Sequence, residues 1–167
     1  MFKDFRHFHL NHVVKLERQP KSVPAVFNSA WRWPKCSSNI LRVRNQGGCG
    51  SCWAVSAIAT IVDRVCIASR GRIITDFSAQ QMIECCPFCG YCGGTVEPLL
   101  PFVYWHKEGV CEETCYPSTI DTDCGHPCKP DSFRLAKGLG NCSDTCTNLT
   151  YGKEMAKNRA KYVYKVS

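Results

Sequence analysis

The sequence predicts an α+β fold in which helices dominate up to about residue 107 and disulfide-held loops follow. Three observations predict it: an apolar stripe of helical period behind residue 52, a helix-capping signature at residues 78–81, and fourteen cysteines among 167 residues.

The stripe comes first. Ala54, Val55, Ile58, Ile61, Val62, Val65 and Cys66 recur at steps of three and four, the pattern of a core-facing helix over residues 51–70. A second helix opens at Ser78-Ala79-Gln80-Gln81, read as a capping box with Ser78 as N-cap and Gln81 at N3. A third is expected from Glu97 to Lys107, with Pro98 in its first turn and Gly109 as its stop, although Pro101 fits that span poorly. Beyond Val110, Cys, Pro, Gly and Asp dominate, so loops are expected there, ending in a candidate strand at Tyr162 to Val166. Residues 1–22 are basic and without clear period, the composition of a linker or of the stub of a longer leading segment.

Composition narrows the class of function. A cysteine density above about 8% points to a disulfide scaffold in an oxidising compartment, and 44% hydrophobic residues suffice for one core. The formal charge of +7 comes from 21 basic and 14 acidic side chains scattered along the chain. Nucleic-acid partners call for a basic stripe with interleaved aromatics, so none is expected. No stretch reaches the ~18 apolar residues of a membrane span. Met1 to His7 leads into no apolar core of a signal peptide, which conflicts with the cysteine content and predicts an incomplete N-terminus.

Gln46-Gly47-Gly48-Cys49-Gly50-Ser51-Cys52-Trp53 carries the chemistry. Cys52 falls at the first turn of the predicted helix, where unpaired N–H groups and the positive end of the dipole favour a thiolate, the nucleophilic form of cysteine. Gln46 can turn its side-chain amide toward the carbonyl oxygen under attack, with the Cys52 backbone N–H as second donor. Together these make half of an acyl-transfer site.

Cys49 to Trp53 resembles the Cys-Gly-Ser-Cys-Trp signature of papain-like and cathepsin cysteine proteases. The resemblance extends through Val23 to Asn28, Trp33-Pro34-Lys35-Cys36, Asp63 to Ile67, Ser78 to Gln81 and the pair Cys85-Cys86, and is strongest toward cathepsin B. It implies a papain-like fold, here mainly the helical, disulfide-rich left-hand domain without the complete β-rich right-hand domain. On this reading residues 1–22 are a propeptide stub or linker. Residues 23–167 are the N-terminal part of the peptidase domain, with a shortened occluding-loop-like region around 111–130. The implied function is hydrolysis of peptide bonds through a Cys52 thioester. The implied partners are peptide or protein substrates and protein protease inhibitors, without a cofactor, and the implied location is lysosomal or extracellular.

The resemblance also assigns disulfides: Cys36–Cys66, Cys49–Cys92, Cys85–Cys142, Cys86–Cys89, Cys115–Cys146 and Cys124–Cys128. Cys52 is left as the nucleophile, and Cys111 has no counterpart. A rival reading takes Cys86-x2-Cys89-x2-Cys92 as metal-ligand spacing, but Val96 stands where a ferredoxin run requires cysteine. Gly93 and Gly94 match the family's substrate-pairing glycines, with one residue missing before them, and Trp53 is a further candidate for substrate contact. His126 falls where cathepsin B carries the first of two carboxylate-capturing histidines. Pro127 replaces the second, so a solvated loop residue is the simpler account of His126, as of His7, His9, His12 and His106. Asn141 and Asn148 open glycosylation sequons, and a disulfide at Cys142 would hinder the first.

The family's general-base histidine lies about 130–150 residues past the nucleophile and is oriented by an asparagine. Counted from Cys52, even the shorter spacing passes Ser167. The expectation is therefore a truncated cathepsin B-like chain that is inactive by itself; the alternative is a non-catalytic disulfide-rich binding module or inhibitor decoy.

Overall fold

A computed structural model describes residues 13–16, 22, 24–95, 97–120, 122, 123, 129 and 139–166. Two short helices, α1 (Ser29–Arg32) and α2 (Ser37–Ile40), flank a 3-10 turn at Pro34–Cys36. Asn28 caps α1 by accepting from the Trp31 N–H at 3.1 Å. The central element is α3 (Cys52–Ala68), 17 residues and about 25 Å long at 1.5 Å per residue. It is followed by α4 (Ala79–Cys85) and α5 (Leu100–Lys107). Strands are few: β2 (Val110–Cys111) pairs antiparallel with β3 (Lys157–Asn158), and β1 (Val13–Leu16) pairs parallel with β4 (Val163–Val166), Val13 opposite Val163.

The core lies where α3 packs on α4 and α5. Trp53, Ala54, Ala57, Ile58, Ile61 and Val62 of α3 meet Met82 and Ile83 of α4, Tyr104 of α5, and Phe77, Val110 and Ile120. Ile58, Ile61, Met82 and Ile83 are fully buried, each contributing on the order of 1.5–3 kcal/mol of apolar burial. Among the described residues five disulfides fasten the periphery to this core: Cys36–Cys66, Cys49–Cys92, Cys85–Cys142, Cys86–Cys89 and Cys115–Cys146. Cys36–Cys66 ties the α1–α2 segment to the far end of α3, and Cys49–Cys92 ties the turn before α3 to the loop after α4. Loops of 30 and 43 residues correspond to roughly 3.5–4 kcal/mol each in the chain-entropy picture. Cys86, Cys89 and Cys92 are thus spent in disulfides and are not available as thiolate metal ligands, which removes the metal-ligand reading of that run. Cys124, Cys128 and His126 lie outside the described residues.

Several boundaries differ from the sequence reading. The third helix begins at Leu100 rather than Glu97, so Pro101 sits in its first turn, where a missing N–H costs nothing. Gly109, at φ +82°, ends it and has no room for a side chain against Asn158 and Arg159. The capping box at α4 is half formed: Ser78 Oγ accepts from Gln81 N–H at 2.9 Å, while the Gln81 amide donates to Tyr104 Oη at 2.7 Å. The Ser78 N–H donates instead to the Cys111 carbonyl, and Gln81 Oε1 has no partner among the described residues. Strand β1 lies inside the stretch read as aperiodic, and His106 is a helical, partly buried residue whose Nδ1 lies 2.8 Å from the Ala160 carbonyl oxygen, not a solvated loop histidine.

Candidate active site

A turn delivers the nucleophile to its helix. Asn45 Oδ1 accepts from the Gly47 N–H at 2.9 Å, and Gly47 takes φ +62°, a conformation glycine adopts without penalty. Gln46 is held at the crest of this turn. The chain then passes Cys49, anchored to Cys92, and Gly50, whose missing side chain lets the Cys92 carbonyl press against the backbone. Ser51 is the N-cap of α3 and is wholly buried; its carbonyl accepts from the Ala54 and Val55 N–H groups, while its Oγ has no partner among the described residues.

Cys52 is therefore the first residue of a 17-residue helix, it is exposed, and it carries no disulfide. No acidic residue stands in that first turn to oppose a thiolate, and the uncommitted N–H groups of the helix start favour negative charge there. Gln46 and Ser51 line one cleft of about 160 Å³ together with Arg44, Asp76, Gln80 and Glu113. Its floor is polar and braced. Arg44 grips Asp76 through both guanidinium nitrogens, at 2.7 and 3.1 Å, and Arg42 adds a 2.6 Å ion pair to the same carboxylate. Burial pushes the Glu113 carboxyl above its ordinary range, against a hydrogen bond from Ser118 N–H and the pull of the two arginines.

On the other side of Cys52, Trp53 is buried, and its indole N–H donates to the Tyr91 carbonyl at 2.8 Å. Tyr91 sits at φ +50° beside Gly90 at φ +104°. Gly93 and Gly94 follow, with nothing within 4 Å of where a side chain would stand. Cys111, the second free cysteine, is buried beside Cys115, Tyr116 and Cys146. Its thiol is pushed up to about 11, chiefly by burial.

Sequence reasoning missed the polar pin that holds the distal loop. Glu84, buried on α4, accepts from Gln80 Nε2 and Gly140 N–H at 2.5 Å each, and from the Tyr116 hydroxyl. A glutamate four residues after Gln80 is the local signal, but Tyr116 and Gly140 are 32 and 56 residues away.

These features coincide with a known family. The chain matches the papain family cysteine protease over residues 25–165. It is similar to cathepsin B-like cysteine proteinase 6 of Caenorhabditis elegans, 33% identical over 158 residues, covering 86% of this chain and 41% of that protein. A cathepsin B-like cysteine proteinase 1 of Ostertagia ostertagi is 37% identical over 156 residues, covering 87% of this chain and 45% of that one. Among solved structures, procathepsin B S9 from Trypanosoma congolense superposes with a TM-score of 0.67 at 25% identity, over 92% of this chain and 49% of that chain. The chain therefore belongs to the papain family of cysteine proteases. It spans less than half the length of these relatives, and its few strands, several helices and disulfides are those of the helical left-hand portion of the papain-like fold.

Proposed function

We propose that Cys52 is the nucleophile of a cathepsin B-like peptidase, and that residues 23–167 form the half of the site that supplies the attacking thiolate and the oxyanion donors. The observation that carries this reading is the placement of one exposed, unpaired cysteine at the start of the buried helix α3, behind the Gln46 turn. In the proposed reaction the Cys52 thiolate attacks the scissile carbonyl carbon, and the developing oxyanion is met by the Gln46 side-chain amide and the Cys52 backbone N–H. The C–N bond breaks, the amine leaves with a proton from an imidazolium, and water hydrolyses the thioester. Gly93 and Gly94 are assigned to pairing with an extended substrate backbone, a role supported by the open space on their side-chain side.

The reaction as proposed further requires an imidazole and a group that orients it. The only histidine among the described residues, His106, has its Nδ1 directed at the Ala160 carbonyl. The polypeptide by itself is expected to lack peptidase activity, because general acid–base catalysis supplies ~10²–10⁴-fold and no histidine among the described residues is directed to that task. The disulfides support an oxidising location, lysosomal or extracellular; no helix of the described residues is long and apolar enough to cross a membrane.

The test is to express the chain alone and joined to the C-terminal half of a cathepsin B-like relative, and to follow a fluorogenic peptide. Turnover confined to the joined protein and abolished by Cys52→Ala is the expected result. Turnover that survives Cys52→Ala, or a folded joined protein without turnover, overturns the proposal.

A further inference from the structure

The two Asn-x-Ser/Thr sequons occupy different local structures. At the second, Asn148 Oδ1 accepts from both the Thr150 hydroxyl, at 2.6 Å, and the Thr150 N–H, at 3.2 Å. The hydroxyl that defines the sequon is therefore turned onto the asparagine side chain itself. This arrangement needs only three consecutive residues, the span of an Asx turn, so a nascent chain can form it before any tertiary contact. At the first sequon the hydroxyl is spent elsewhere. Ser143 Oγ donates to the Thr145 carbonyl at 3.0 Å, lies 3.1 Å from Thr145 Oγ1 and accepts from Thr145 N–H at 3.1 Å. The residue between Asn141 and Ser143 is Cys142, bonded to Cys85, and the Asn141 carbonyl accepts from the buried Tyr116 hydroxyl.

We propose that Asn148 is N-glycosylated and that Asn141 is not. This rests on the oxidising, secretory location proposed above. In the modification the Asn148 Nδ2 attacks the anomeric carbon of a polyprenyl-diphosphate-linked oligosaccharide. The N-glycosidic bond forms, the carbon–oxygen bond to diphosphate breaks, the lipid diphosphate leaves and one amide proton passes to a base of the transferase. The folded structure accepts this product without losing a contact. Asn148 Nδ2 donates to the Thr114 carbonyl at 2.9 Å, and a glycosylated amide keeps the one N–H which that bond requires. The neighbours leave room: Leu149 is 79% exposed, Thr150 is exposed, and Gly152 has nothing within 4 Å of a side-chain position. A sugar here would shield the exposed Leu149 on the loop that Cys115–Cys146 fastens to the core.

The experiment translates the full 167-residue chain behind a secretory leader, in the presence of microsomes. A reporter sequon is appended at the C-terminus, so that only molecules that enter the lumen are scored. Endoglycosidase-sensitive mobility steps are then counted. Two steps are expected for the parent and for Asn141→Gln and Thr150→Ser, which keeps the hydroxyl; one step is expected for Asn148→Gln and Thr150→Ala. Retention of the second step in Asn148→Gln, its loss in Asn141→Gln, or a parent modified on the reporter alone overturns the assignment. Because the readout does not involve peptidase turnover, it stands or falls separately from the role of Cys52.

Discussion

The indole N–H of Trp53 donates to the carbonyl oxygen of Tyr91 at 2.8 Å, which makes the residue after Cys52 a strut for the loop that carries Gly93 and Gly94. Together with Cys49–Cys92 it fixes the distance between the start of α3 and the 90–94 loop.

Replacing Trp53 with Phe removes that donor and leaves the Tyr91 carbonyl short of a partner within a packed region. Loss of one hydrogen bond and part of a buried ring costs about 2 kcal/mol, which for a chain of this length lowers the midpoint of thermal unfolding by roughly 4–8 °C. Scanning calorimetry of parent and variant measures it. A variant whose midpoint matches the parent's would show that the disulfide alone holds the loop.

Arg42 and Arg44 share Asp76 but hold it unequally. Arg44 is 13% exposed and binds through two nitrogens, whereas Arg42 is 52% exposed and binds through one. Truncating Arg44 to Met leaves a part-buried carboxylate with the exposed Arg42 as its remaining cation and is expected to cost about 2 kcal/mol. Arg42→Met removes a solvent-screened pair worth at most about 1 kcal/mol. Urea denaturation of the two variants ranks them, and equal losses would contradict the geometric distinction.

Exposure separates the two free thiols found among the described residues. Cys52 is exposed at the helix start, while Cys111 is wholly buried and its thiol is raised to about 11, chiefly by burial. At neutral pH, iodoacetamide should therefore modify Cys52 in the native protein and reach Cys111 only after unfolding, since the thiolate is the reacting species. Peptide mapping after brief alkylation decides it. Native labelling at Cys111 that matches Cys52 would mean that the β2 region opens readily.

How much of this was legible in the sequence depends on the range of the interactions. Helix α3 and the N-cap at Ser78 were readable because period and capping are local: Ile58, Ile61 and Val62 show the buried face directly, and Ser78 needs only Gln81 three residues on. The other half of the capping box failed because the Ser78 N–H found the Cys111 carbonyl, a distant partner that no local pattern reveals. β1 was missed for the same reason, since four residues become a strand only through β4, 150 positions later. Resemblance to cathepsin B supplied what spacing could not, the partners of the ten cysteines paired among the described residues, because a pairing such as Cys85 with Cys142 depends on the fold as a whole. The Arg44–Asp76 clamp, the Glu84 pin and the sheltered Glu113 carry no motif and emerged only from the packed structure.

Glu113 gives the pH response a defined sign. Its carboxyl is raised from the ordinary value of 4.5, chiefly by burial, and Ser118 N–H, Arg44 and Arg42 only partly offset this. Below that ordinary value the group is protonated both folded and unfolded, and its favourable contribution is fully present. As pH rises, the unfolded chain releases the proton first, so the folded state binds more protons and stability falls until the folded carboxyl itself ionises. Glu113→Gln keeps an oxygen to accept the 2.9 Å bond from Ser118 N–H and cannot ionise. The stability of the variant relative to the parent should therefore grow as pH is raised from about 4 toward 7 across the carboxylate range. Denaturation curves at matched ionic strength provide the comparison. A difference that stays flat or shrinks with rising pH would mean that the paired arginines, rather than burial, govern this carboxyl.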